Sequence, residues 1–189
     1  MPCMDTLSHP VSHGHHTPGL VRGFGRGTRL LTADGPVPVE EIEPGEAVLD
    51  PDGRPHFVLW QGGWDMRPMA GWAGDPHHPV VIAANTFGPG KPRRDLIMSQ
   101  QHRVMVETDG PGAMVRAAAL APHLARIDLS GRDMSYHAVV TRKPCLLMAE
   151  NLPCEGFRPG ERALADTSAK RGAWPLVPMG SDRQVALRP

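Results

Sequence analysis

From Thr28 onward, short apolar or β-branched runs alternate with tight polar breaks, and the breaks come too often for helices of ordinary length. Thr28-Arg29-Leu30-Leu31-Thr32 reads as a strand closed at Ala33-Asp34-Gly35-Pro36, because Asp-Gly supplies the positive-φ residue of a tight turn. Val37-Pro38-Val39 opens a second extended piece. Residues 40–46 make a short turn cornered at Pro44-Gly45, and Ala47-Val48-Leu49 starts a strand that Asp52-Gly53 ends. Further strands are expected over 56–61, 79–83, 95–98 and 103–106, with a sharp break at Gly88-Pro89-Gly90-Lys91-Pro92. The helical candidate, 117–124, is cut to a turn or two by Pro122. Residues 134–141 and 145–148 form the last pair of core strands, closed by Ala149-Glu150-Asn151.

The pattern fails at both ends. Residues 1–20 are dominated by His, Ser, Pro and Gly, which bury too little apolar surface to offset chain ordering, and are expected to form a flexible arm. Residues 21–157 form the folded domain. Residues 158–189 scatter Trp174, Leu176 and Val177 among Pro, Gly and charge, a tail that either drapes over the body or stays loose.

Composition sharpens the all-β expectation. Gly and Pro number 21 each in 189 residues, nearly double their usual combined share of about 12 %. With 40 % hydrophobic residues and no G-X-Y period, that density fits short strands joined by many turns. Lys plus Arg and Asp plus Glu are both 20, so the charge that drives binding to nucleic acid or anionic membrane is missing. No apolar run approaches the ~18 residues of a membrane span, and the first residues carry no apolar signal-peptide core. A cytoplasmic protein is expected, with secretion by a signal-less route left open. Cys3, Cys145 and Cys154 are an odd set without a CxxC pair, which argues for reduced thiols rather than a disulfide framework or a Cys-based zinc site.

Three stretches together resemble a known family. The first is Gly23-Phe24-Gly25-Arg26-Gly27-Thr28-Arg29-Leu30-Leu31-Thr32-Ala33-Asp34-Gly35, continued by Pro38-Val39-Glu40-Glu41-Ile42-Glu43-Pro44-Gly45. The second is Arg93-Arg94-Asp95-Leu96-Ile97-Met98-Ser99-Gln100-Gln101-His102-Arg103-Val104. The third runs from Tyr136-His137 to Leu147-Met148-Ala149-Glu150-Asn151-Leu152-Pro153-Cys154-Glu155-Gly156-Phe157. They resemble the Hedgehog/intein (Hint) domains, in particular the bacterial Hint subfamily common in marine α-proteobacteria. The resemblance implies a flattened, horseshoe-like all-β fold with pseudo-two-fold symmetry.

It also implies a self-processing site. In active members a Cys at the first position of the domain attacks the carbonyl before it, and here that position is Gly23. With neither thiol nor hydroxyl at Gly23, Phe24 or Gly25, an acyl shift there has no nucleophile. The second stretch places Ser99 and His102 where the resemblance puts a hydroxyl that orients the scissile carbonyl and an imidazole that moves the proton. Ser99 and His102 are therefore the candidate catalytic residues, either retained or reduced to a turn with a local side-chain bond. The third stretch departs from the family: Thr141-Arg142-Lys143-Pro144 puts Lys143 where a second histidine is expected, and no Cys, Ser or Thr follows Asn151 as a splicing acceptor.

The residues outside that likeness add little chemistry. His9, His13, His15 and His16 could gather one metal ion, but without acidic or thiol partners beyond Asp5 they read as an adventitious cluster. No metal and no cofactor are expected. His77 and His78 are expected to decorate a loop, Cys145 and Cys154 to be buried and unreactive, and Trp60, Trp64, Trp72, Met66 and Met69 to serve core and loop packing. A protein partner is compatible with the sequence.

Overall fold

A computed structural model describes residues 21–107 and 112–157. The expected flexibility of residues 1–20 and the expected course of 158–189 lie outside these, as do Cys3 and the four N-terminal histidines. The described chain forms β1 (Phe24–Gly25), β2 (Arg29–Thr32), β3 (Gly35–Pro38), β4 (Ala47–Leu49), β5 (Pro55–Met66), β6 (Pro79–Ile82) and β7 (Leu96–Ser99). It continues through β8 (Arg103–Val106), β9 (Ala113–Arg116), β10 (Arg126–Ile127), β11 (Met134–Thr141), β12 (Leu146–Ala149) and β13 (Leu152–Glu155). Two short 3-10 turns, Val39–Glu41 and Ala117–Leu120, are the helical elements of the described residues. The all-β expectation holds.

All strand pairs are antiparallel, in the order β10-β6-β7-β1-β11-β5-β4-β2-β12-β13-β8-β9, with β3 on β2. Side chains alternate faces along a strand, so β8 buries Val104 and Val106 while Arg103 and Met105 stay half-buried. β6 reads Pro-Val-Val-Ile and is buried throughout, as a strand covered on both faces must be. Phe24, Leu30, Val48, Ile82, Leu96, Met98 and Leu147 belong to one core cluster.

Two elements depart from the sequence reading. β5 runs on to Met66, five residues past its expected end, because β11 pairs with it from Met134↔Met66 to Thr141↔Val58. The register shifts between Val140 and Thr141, which leaves Leu59 as an extra residue in a β-bulge. Gly62-Gly63 does not break the strand. Gly62 is where the Trp60 ring lies, since a Cβ there would come within 2.2 Å of that ring. The helical candidate shrinks to Ala117–Leu120, because Ala121, the residue before Pro122, is extended (φ −78°, ψ 145°) and ends it. The closing turn after β12 is as expected: Glu150 and Asn151, both with positive φ, form a two-residue hairpin loop.

Candidate functional site

The centre of the fold is the seam where β1 is held between β7 and β11, with Phe24 opposite both Met98 and His137. The residue just before it, Gly23, is fixed by two bonds to Ser99. The Gly23 N–H donates to Ser99 Oγ (3.0 Å), and the Ser99 N–H donates to the Gly23 carbonyl (3.0 Å). Ser99 begins a turn in which the His102 N–H donates back to the Ser99 carbonyl (3.2 Å), so the three-residue spacing folds as the sequence suggested. The Ser99 side chain, however, makes no local turn bond here; it reaches across to the amide of the Arg22–Gly23 peptide.

Gly23 has no room for a side chain. A Cβ there would lie 2.9 Å from the His137 carbonyl oxygen and 3.3 Å from two further backbone atoms of that residue. The obstacle is a strand backbone rather than a side chain that could swing away.

His102 is fully buried, its ring 4.4 Å from that of Phe24 and 5.6 Å from that of Phe157. Neither ring nitrogen has a hydrogen-bond partner among the described residues. Burial pushes its pKa down to about 3, helped by the nearby Arg22 cation. Arg22 in turn lies over the Phe157 ring (5.0 Å to the centroid) and pairs with Glu155 (3.2 Å). The segment entering the domain and the segment leaving it thus meet above the imidazole.

A second set of polar groups underlies the turn, and the sequence reading placed it wrongly. His77 and His78 do lie on a turn, just before β6, but they do not decorate it: both are buried. Their burial is tolerated because almost every polar atom is matched. The His77 ring Nδ1 bonds Asp75 (2.8 Å), and Asp75 also accepts the amides of Met69 and His77. Burial pushes the Asp75 carboxyl up, but those bonds outweigh it and hold its pKa below the usual carboxylate range. The His78 Nε2 faces the carbonyls of Met69 (2.9 Å) and Trp72 (3.1 Å). Gln100, inside the Ser99–His102 turn, donates to the carbonyls of Asp75 and His78, and Tyr136 Oη donates to that of His77 (2.8 Å). With Pro79 opposite Ser99 in the β6–β7 register, this cluster braces the turn from behind. The signal was present as Asp75-Pro76-His77-His78-Pro79, a polar run flush against an apolar strand.

Neither described thiol reaches the imidazole of His102. Cys154 is a core residue of β13, and Cys145 is half-buried beside Thr141 Oγ1 (3.3 Å); burial raises the pKa of both. Asn151 sits in the hairpin turn, its amide donating to the Gly90 carbonyl (2.9 Å). Glu150 is the buried member of that turn, accepting the Arg29 N–H (2.8 Å) and pairing with Arg94. Of the residues expected to serve core and loop packing, Trp60 on β5 is 43 % exposed and so not core, while Trp72 and Met69 lie on the loop before β6, 54 % and 62 % exposed.

An all-antiparallel domain of this strand order shares its fold with solved intein-like structures. The chain belongs to the Hint domain family, whose model matches residues 22–161. The solution structure of a bacterial intein-like domain from Clostridium thermocellum is similar in fold (TM-score 0.51, 13 % identity, covering 72 % of this chain and 98 % of that one). The crystal structure of the MchDnaB-1 intein matches less closely (TM-score 0.46, 14 % identity, covering 70 % and 98 %). A search of curated proteins gives no significant match. Among the described residues no helix is long and apolar enough to cross a membrane.

Proposed function

We propose that this Hint domain does not cut its own chain and acts as a folded binding or structural module for a protein partner. The observation that carries this reading is the packing at Gly23. The position that would need a nucleophilic side chain has none, and the His137 carbonyl stands 2.9 Å from where one would begin. The remaining machinery is also disarmed. Ser99 Oγ is engaged with the amide nitrogen, and His102 is neutral near pH 7, with no partner through which to pass a proton. Intact mass measurement of the purified full chain, followed over days from acid to alkaline pH, should show one uncut species. A discrete fragment cut near Gly23, in a protease-free preparation, would overturn the proposal.

A rival reading has one observation in its favour. Ser99 does touch the Arg22–Gly23 peptide, and a buried imidazole with both nitrogens unpartnered is a costly thing to keep. In that reading the domain is autocatalytic, with water or an external thiol attacking the Arg22 carbonyl and His102 carrying the proton to the leaving amine. Any fragment seen in the mass experiment would then vanish in the His102→Ala variant.

A further inference from the structure

We propose that the apolar run Ala173-Trp174-Pro175-Leu176-Val177-Pro178-Met179, which lies outside the described residues, covers the exposed aromatic strip of β5, whether or not the Arg22–Gly23 bond is ever cut. The strip follows β5. Phe57 is 58 % exposed, and the bulge at Leu59 leaves Leu59 and Trp60 both open. The Trp60 ring folds across Gly62 to meet Trp64, with 5.9 Å between the ring centroids. Large apolar groups side by side on a surface mark a contact that something covers.

The path of the chain names the occupant. Phe157, the last residue described, packs with Ala138 in a cluster against which Trp64 and Val140 lie, and Val140 is the register partner of Trp60. The described residues therefore end beside the strip. From Phe157 to Trp174 the chain can span up to about 55 Å, while Trp64 and Phe57 are only about 23 Å apart along β5. A tethered segment of that reach is presented at an effective concentration on the order of millimolar, which a free partner rarely attains. Proline fixes φ and carries no amide donor, so a sequence with Pro at 175 and 178 is suited to lie along such a strip.

Indole N–H resonances of the full chain test this. In the double variant Trp174→Ala, Leu176→Ser, the Trp60 and Trp64 resonances should shift while that of Trp72, on a separate loop, stays in place. In the reverse experiment, Trp60→Ser should shift the Trp174 resonance; the amide spectrum of the core strands reports that the fold is kept. Unmoved Trp60 and Trp64 resonances in the first variant, or an unmoved Trp174 in the second, would overturn the proposal. So would wild-type resonances that move on dilution, since a second copy would then be the cover.

Discussion

At the scale of single residues, the site is defined by two opposite economies of space: Gly23 has no room for a Cβ, whereas the His102 imidazole fills a sealed place between Phe24 and Phe157 with neither nitrogen hydrogen-bonded among the described residues. The second has a consequence for stability. Between its ordinary pKa of 6.5 and the folded value of about 3, the imidazole takes up a proton in the unfolded chain that the folded chain refuses. Folded stability therefore falls as pH drops through that window, by about 1.4 kcal/mol per pH unit, and this contribution levels off below about pH 3. Urea unfolding of the wild type and of His102→Leu, compared from neutral to acid pH, should show the wild type losing stability relative to the variant as pH falls, because only the wild type carries this linkage. Parallel curves would mean that His102 titrates as it does in water.

At the scale of elements, the β12–β13 hairpin shows how one side chain ties distant strands together. The Glu150 carboxylate accepts the Arg29 N–H at the edge of β2, and its backbone bonds Arg29 and Arg93. Its pairing with Arg94 is half-exposed, so solvent weakens it, and the part-buried amide bond matters more. Glu150→Ala should then cost about 1–3 kcal/mol in chemical unfolding, for leaving a donor unmatched. Glu150→Gln, which keeps an acceptor oxygen, should cost less; equal losses would shift the weight to the ion pair. The Gly and Asn-type turns, the apolar runs and the Ser99–His102 spacing could all be read from the sequence, because each is local. β1 could not, since its two residues are a strand only through Met98 and His137, far along the chain. The extension of β5 depends in the same way on β11. His77 and His78 look like loop decoration until Asp75, Met69, Trp72 and Tyr136 supply the bonds that let them be buried.

At the scale of the whole molecule, the described domain begins and ends at the same place. Arg22 pairs with Glu155 and lies over the Phe157 ring, and Phe157 itself bridges to Val140 on β11, the strand that pairs with β1. A domain whose ends are adjacent can interrupt another chain without prising it apart, which is why insertion is tolerated at such geometries. Residues 21–157 placed in an exposed loop of a reporter enzyme should therefore leave the reporter folded and active. If the site is silent as proposed, the product should also run as one polypeptide of the full fused mass. The two halves of the prediction fail separately: a dead reporter on an intact chain would mean that the ends do not stay together, and a live reporter recovered in two pieces would mean that the seam at Gly23 still reacts. The experiment thus separates what the fold provides, a closed loop of chain, from what the chemistry at its mouth would add, and the packing of Gly23 against His137 predicts the first without the second.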